Sequence, residues 1–187
     1  LAIFLLIMYF RNKNKLLLSS FLVVFGLVFF FDLKEDINHQ NQKLIVVYSI
    51  DNHFALDLIS GNNHYFISEQ SIFNLSKKTL FDIKNNWYRL DLNDPVYLDI
   101  NSFMSSTIKW EGKAIGFVDN YWNDTNSIDI AILSDNLNQK NINSNLATIN
   151  KIVIKNNSHG FFSIDKKKIN KSSIHNISKM GAYIHKI

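Results

Sequence analysis

The chain has 187 residues, a formal net charge of +4 and a pI near 9.1, and it contains no cysteine. The missing cysteine excludes disulfides, thiolate metal sites and cysteine nucleophiles. The small positive charge is compatible with an anionic partner, such as a nucleic acid or a membrane surface, but it does not indicate one. The length is sufficient for one domain with a hydrophobic core and an additional segment.

The N-terminal segment, residues 1–31, is predicted to form a transmembrane helical hairpin. Residues 1–10 and 16–31 are uncharged and are separated by RNKNK. The second run gives about 24 Å of helix, which Lys15 and Lys34 can extend by reaching to the two interfaces. We expect the shorter first run to be a helix truncated at its N-terminus. A signal peptide is disfavoured because the basic cluster lies between the apolar runs, and a buried soluble hairpin because the second run is apolar on all faces.

The loop between these two runs determines the predicted topology. It contains Arg11, Lys13 and Lys15, and such clusters of basic residues stay in the cytoplasm. The second helix then leads outward, through a predicted linker at residues 32–42. We therefore expect the domain formed by residues 43–187 to be extracytoplasmic.

The remaining sequence predicts a sheet-rich α/β sandwich, that is, an α+β arrangement of layers. KLIVVYSI, FALDLIS and HYFIS, separated by short polar turns, predict a three-stranded antiparallel meander. Apolar residues at helical spacing in residues 70–90 predict a helix broken near Thr79. Further strands are predicted in DPVYLDI, in STIKWEGKAIGFVDN with a turn at Glu111-Gly112, in SIDIAILS and in KIVIKNN, short helices in NQKNINSNLATIN and SIDKKKINKSS, and a final hairpin turned at Met180-Gly181.

The strand in IDIAILSDN ends at Ser134, Asp135 and Asn136, a position where α/β proteins often keep their chemistry. The simpler interpretation is that Asp135 and Asn136 cap the next helix. No G-x-S-x-G elbow surrounds Ser134, and no glycine-rich phosphate loop is present. None of the six histidines has the spacing of a zinc motif, and we interpret His53 and His64 as polar turn residues. These patterns predict no catalytic residue, no metal ligand and no cofactor.

An active hydrolase is the alternative that these residues leave open. Its metal ligands would have to come from acidic and histidine side chains scattered along the chain. The set that could supply them is Asp57, Asp119, Asp129, Asp135 and His159.

The order of segments resembles the C-terminal end of the ComEC-type competence proteins, inner-membrane channels that take up single-stranded DNA during transformation. In that family a metallo-β-lactamase-like domain follows the last membrane helices. VYSIDNHFALDLIS resembles the family's opening hairpin, V-G-x-G-D-A-x-L-I, with Asp51-Asn52-His53 in place of the glycine turn. IDIAILSDN resembles the segment D-x-L-x-x-x-H-H-G-S, and KMGAYI resembles the closing strand.

The departures from that family pattern imply a degenerate site. Residues 134–136 stand where His-His-Gly would be, and the H-x-H-x-D-H motif is absent from residues 69–95. The resemblance thus implies a multi-pass inner-membrane protein whose lactamase-like domain is non-catalytic and serves a structural or DNA-guiding role. Its expected partners are the lipid bilayer, single-stranded DNA and other components of the competence machinery. The alternatives are a membrane-anchored metal-dependent hydrolase or nuclease, and a membrane-tethered interaction domain unrelated to DNA.

Overall fold

A computed structural model of the chain describes residues 1–50, 53–69, 72, 77–118, 127–133, 149–154, 173–177 and 181–187. It separates into two compact units, Leu1–Asn41 and Gln42–Ile187. The first unit is helical, and the second is a mixed α/β unit with two mixed sheets.

The helical unit consists of α1 (Ala2–Asn12) and α2 (Lys15–Gln40). Asn14 caps α2, because its side chain accepts a hydrogen bond from the Leu16 N–H at 3.0 Å. No residue of either helix is buried within the protein. Within the part of the chain that the structure describes, α2 is the one helix long and apolar enough to cross a bilayer, with a mean hydropathy of 2.4 over its most apolar stretch. Its 26 residues give about 39 Å of helix.

Helix α2 continues through most of the segment that was predicted as a linker, residues 32–42. That segment contains neither glycine nor proline, so no helix-breaking residue ends the helix at Asp32. The helix ends at Asn41, whose N–H and side-chain amide both donate to the Ile37 carbonyl. The polar residues after Phe31 thus extend the apolar helix by more than two turns.

The second unit contains ten strands and the helix α3 (Lys77–Arg89) among its described residues. The strands are β1 (Lys43–Ile50), β2 (His53–Ser60), β3 (Asn63–Ser68), β4 (Val96–Asp99), β5 (Thr107–Trp110), β6 (Lys113–Val118), β7 (Ile130–Leu133), β8 (Lys151–Ile154), β9 (Ser173–Asn176) and β10 (Tyr183–Lys186). Sheet A has the order β10-β1-β2-β3-β4, and sheet B has the order β5-β6-β7-β8-β9. Sheet A is antiparallel except for the β3–β4 pair, whereas β6 to β9 of sheet B are parallel.

Two local predictions are confirmed by the strand pairing. Strands β1, β2 and β3 form the antiparallel meander, with Lys43 opposite Ser60 and Ser60 opposite Asn63. Strands β5 and β6 are joined by the turn at Glu111-Gly112, where both residues have positive φ angles, 46° and 79°. A two-residue hairpin of the type I′ class requires positive φ at both positions, and glycine meets that requirement without strain.

Two other predictions are wrong. The C-terminal hairpin does not form, because β9 extends sheet B parallel to β8 whereas β10 pairs with β1 in sheet A. The reason is long-range: the outer edge of β1 is completed by β10, with Val47 opposite Tyr183. Helix α3 is also not broken near Thr79, since its buried residues Ile83 and Trp87 keep one continuous face against sheet A. The segments predicted as short helices are residues 138–150 and 163–173, and they lie outside the described residues except for Ile149, Asn150 and Ser173, the last of which begins β9.

Each face of sheet A packs on a different layer. The inner face packs against sheet B and forms the core with Ile45, Val47, Leu56, Leu58, Ile67, Ile115, Phe117, Ile130, Ile132, Val153 and Tyr183. The outer face packs against α3 through Leu44, Val46, Tyr48, Ala55, Ile59, Phe66, Ile83 and Trp87. Burying each large apolar side chain contributes about 1.5–3 kcal/mol, so these two layers hold the unit together.

Candidate functional site

A buried carboxylate lies on the outer face of sheet A, beneath α3. Strand β2 alternates, so Leu56 and Leu58 point into the inner core while Asp57 shares the outer face with Ala55 and Ile59. His64 of β3 lies on the same face, and neither the Asp57 nor the His64 side chain is exposed to solvent. Two ionisable groups are therefore enclosed in a layer that is otherwise apolar or aromatic.

His64 is held between two acceptors. Its Nδ1 lies 2.5 Å from Asp57 Oδ1, and its Nε2 lies 3.0 Å from the carbonyl oxygen of Asn93. A carbonyl oxygen can only accept, so Nε2 carries a hydrogen and donates it to Asn93. A second proton must then lie between Nδ1 and the Asp57 carboxyl group. The pair shares this proton within a fully enclosed space.

The second oxygen of Asp57 accepts from two aromatic side chains. Trp87 Nε1 donates to Asp57 Oδ2 at 2.6 Å, and the Tyr48 hydroxyl donates to the same oxygen at 3.2 Å. Asn86 Nδ2 donates to the Tyr48 hydroxyl oxygen at 2.7 Å. Burial, and then the negative charge of Asp57, raise the pKa of Tyr48 far above its ordinary value, so the hydroxyl keeps its proton and remains a donor. We call Tyr48, Asp57, His64, Asn86 and Trp87 the Asp57 cluster.

The Asp57 cluster contains half of a catalytic arrangement. A carboxylate that orients the Nδ1 side of a histidine is the base-and-orienter pair of triad enzymes. Here, however, Nε2 is hydrogen-bonded to the Asn93 carbonyl, where such an enzyme would present a hydroxyl or thiol nucleophile. The cluster instead connects β1, β2, β3, α3 and the segment after α3. Its geometry supports a structural role.

A small cleft opens beside the Asp57 cluster, between α3 and the start of β4. It has a volume of about 110 Å³ and is lined by Lys84, Trp87, Tyr88, Leu92, Asn93, Asp94 and Tyr97. Burial raises the pKa of Tyr97, and the carboxylates of Asp94 and Asp57 raise it further. Asn93 belongs to both features, because its backbone carbonyl binds His64 and the residue also lines the cleft.

The residues that the sequence singled out are not brought together by the described structure. Ser134, Asp135 and Asn136 lie outside the described residues, and so do Asp119 and His159. Strand β7, which precedes residues 134–136 in the sequence, runs parallel to β6, β8 and β9, so the carboxyl ends of these four strands share one edge of sheet B.

The two described members of the hydrolase set, Asp57 and Asp129, are far apart in the fold. Asp57 is on the outer face of sheet A, whereas Asp129 precedes β7 of sheet B. Asp129 accepts from the Ala114 N–H at 2.9 Å and from Asn150 Nδ2 at 3.3 Å, and it lies 3.7 Å from Lys113 Nζ. Within the described ranges, no three His, Asp or Glu side chains stand close enough together to hold a metal ion.

The basic residues used for topology lie around the connection between the two helices. Arg11 is in the last turn of α1, Lys13 ends that helix in a left-handed conformation with φ 50°, and Lys15 begins α2. Lys13 N–H donates to the Tyr9 carbonyl, which closes the end of α1. The three cations therefore cluster at one helix junction, as the sequence predicts.

Sequence reasoning missed the Asp57 cluster. The interpretation of His64 as a polar turn residue is wrong, because β3 begins at Asn63 and His64 is buried within it, opposite Ile59. A usable signal was present in FALDLIS, where a charged residue occupies the middle of an alternating strand. The two residues that share a face with Asp57, Ala55 and Ile59, are both apolar, so a carboxylate on that face requires a buried partner.

Comparisons with known proteins assign no family to this chain. No protein-family model, no curated protein sequence and no solved structure matches it. Its function must therefore be argued from the order of its segments and from the geometry described above.

Proposed function

We propose that the chain is the C-terminal portion of an inner-membrane channel for uptake of single-stranded DNA in natural transformation. Its second unit would be a degenerate metallo-β-lactamase-like domain with a structural or DNA-guiding role. The observation that carries the proposal is the order of elements: an apolar, unburied helix, α2, precedes a two-sheet α/β unit that opens with the β1–β3 meander. This is the order that the resemblance to ComEC-type proteins implies.

The layering of the second unit supports the lactamase-like part of the proposal. Sheets A and B pack face to face, and α3 covers the outer face of sheet A. The outer face of sheet B is also buried, as Val118, Ala131, Leu133 and Ile152 demonstrate. Two facing sheets with both outer faces covered correspond to the layers of a lactamase-like sandwich.

The non-catalytic role is supported by the state of the described acidic residues. Both oxygens of Asp57 accept hydrogen bonds from protein groups, and those of Asp129 are bonded to Ala114 and Asn150. Metal analysis of the purified chain is expected to find less than stoichiometric zinc or manganese. Stoichiometric metal, together with a nuclease activity that a chelator abolishes, would favour the hydrolase instead.

The proposed topology follows from Arg11, Lys13 and Lys15, which keep their junction in the cytoplasm and direct α2 outward. Alkaline phosphatase fused after Ile187 is expected to be active, because it needs an oxidising compartment for its disulfides. A reporter that works only in the cytoplasm is expected to be silent at the same position. The reverse result would place the second unit inside the cell.

Gene replacement tests the uptake function directly. Cells in which the gene is deleted are expected to lose transformation by chromosomal DNA, and the intact gene supplied in trans is expected to restore it. A version that ends at Asn41 serves as the matched control, since it keeps α1 and α2 and lacks the whole second unit. Normal transformation in the deleted strain would contradict the proposed function.

A further inference from the structure

Helix α3 carries an exposed stripe of aromatic and basic side chains beside the face that packs against sheet A. Phe81 is 61% exposed, Tyr88 is 79% exposed, and Lys84 is exposed between them. Positions i, i+3 and i+7 lie within about 60° of one another around a helix, so the three side chains form one row. We call Phe81, Lys84 and Tyr88 the aromatic stripe. Its two aromatic rings contribute little to the folded core, so core packing does not explain why aromatic residues occupy these positions.

The aromatic stripe borders the cleft described above. Lys84 and Tyr88 belong to both, and Tyr97 of β4, which is 49% exposed, forms part of the lining. The volume of about 110 Å³ equals roughly four water molecules at about 30 Å³ each. Drug-sized ligands occupy about 300–1,000 Å³, so this cleft fits a single ring.

We propose that the aromatic stripe and the adjoining cleft bind single-stranded nucleic acid. One base stacks on Tyr88 or Tyr97 at the cleft, and Lys84 pairs with a neighbouring phosphate. Aromatic platforms next to cations are how proteins hold single strands without reading their sequence, because every base has a π-face. The inference rests on the proposed function and assigns the DNA-guiding role to a particular surface.

The chemistry of the cleft favours this occupant over an apolar one. Lys84, Asn93 and Asp94 line it beside the aromatic rings, which suits a ring with polar edges. Asp94 can accept a hydrogen bond from an N–H group on the edge of a base, such as thymine N3–H, and Lys84 supplies the opposite charge for a phosphate. An acyl chain or the apolar face of a helix would cover the charged groups of Lys84 and Asp94 without offering them a partner.

Binding of a fluorescein-labelled 12-residue oligothymidylate to the full-length chain in detergent micelles tests the inference. Tyr88→Ala is expected to weaken binding by about 5- to 100-fold, the range for loss of one stacking aromatic. Lys84→Gln is expected to reduce the slope of log affinity against log salt by about 0.7, the value for one phosphate contact with a single strand. Tyr65→Ala is the matched control, because Tyr65 is also an exposed tyrosine of sheet A but points away from α3.

Two other results would contradict binding of single-stranded nucleic acid at this surface. If the chain binds the oligonucleotide and all three variants bind equally, the surface is wrong while DNA uptake stands. If the chain binds no oligonucleotide but binds vesicles of anionic lipid through Tyr88, the surface is a membrane contact. The gene-deletion assay tests DNA uptake separately from both results, because it removes the whole protein and not one surface. Far-ultraviolet circular dichroism confirms that each variant is folded.

Discussion

Asp57 in sheet A and Asp129 beside sheet B each have three protein partners, yet their surroundings differ. Asp57 is fully enclosed and bonded to His64, Trp87 and Tyr48. The Asp129 side chain is 30% exposed, and one of its partners, Lys113, is 3.7 Å away. Water can replace the partners of Asp129 but not those of Asp57. Equal numbers of partners therefore carry unequal energetic weight, and burial decides which carboxylate the fold depends on.

Replacement of Asp57 is expected to have the largest effect on stability. Asp57→Ala leaves His64 and Trp87 without their hydrogen-bond acceptor in a closed space, and breaking a buried pair costs about 3–5 kcal/mol. Asp129→Ala, the matched control, should cost about 1 kcal/mol because its ion pair is partly exposed. Urea-induced unfolding of the full-length chain in micelles, followed by circular dichroism, measures both. Equal losses would remove the distinction between the two carboxylates.

A double variant sharpens the same comparison. Asp57→Leu combined with His64→Leu removes both members of the buried pair, so neither remains in the layer without its partner. We expect this double variant to be more stable than Asp57→Ala alone. If it is less stable than the single variant, the cost of Asp57→Ala does not come from an unpaired His64.

The two tryptophans of the described structure differ in the same way, because only one of their two neutral N–H donors has a hydrogen-bond acceptor. Trp87 Nε1 donates to Asp57, whereas Trp110 Nε1 is buried without a hydrogen-bond partner in the part of the chain described here. Trp87→Phe should therefore cost about 1.5–3 kcal/mol, the value of a hydrogen bond to a charged group. Trp110→Phe should be close to neutral, since it removes an unsatisfied donor. The same unfolding measurement compares them, and a larger loss at Trp110 would contradict the bonding scheme.

In sheet B, a methyl group added at Gly116 is expected to destabilise the chain more than removal of the Asp129 charge. A Cβ at Gly116 of β6 would lie 2.5 Å from the Ile128 Cδ1 atom. Gly116→Ala should therefore destabilise the chain by about 1–3 kcal/mol, the usual cost of overpacking. Ile128→Val removes the clashing methyl group, so it should restore part of the loss in the double variant. If the double variant is no more stable than Gly116→Ala alone, the loss does not come from the contact with Ile128.

The smallest expected effect is a pH dependence at the edge of sheet A. Burial, and then the charges of Lys113 and Lys151, lower the pKa of His185 below its ordinary value, and Asp129 acts weakly in the opposite direction. Between the folded and unfolded pKa values, the unfolded chain binds more protons. Stability from this site is therefore present above about pH 6.5 and is lost as pH falls below it. His185→Gln should make the urea midpoint less sensitive to pH over that range.

Local patterns were sufficient to predict sheet A's meander and the turn at Glu111-Gly112. Alternation and turn residues act between neighbours, so β1, β2 and β3 can be derived from their own sequences. The pairing of β10 with β1 could not, because it joins residues about 140 positions apart and no local rule selects the partner. His64 was misjudged for a similar reason: only the fold reveals that Asp57 lies on the same face, one strand away.

The position of β10 also has a consequence for synthesis of the chain. Strand β1 leaves the ribosome well before the strand that covers its outer edge, because Tyr183–Lys186 follows it by about 140 positions in the chain. Until then the backbone groups of residues 44–47 remain an open edge, which can template pairing with another nascent chain. A premature stop codon or a proteolytic cut before Tyr183 would make that open edge permanent. Truncated products of this gene should therefore aggregate rather than accumulate as smaller folded proteins.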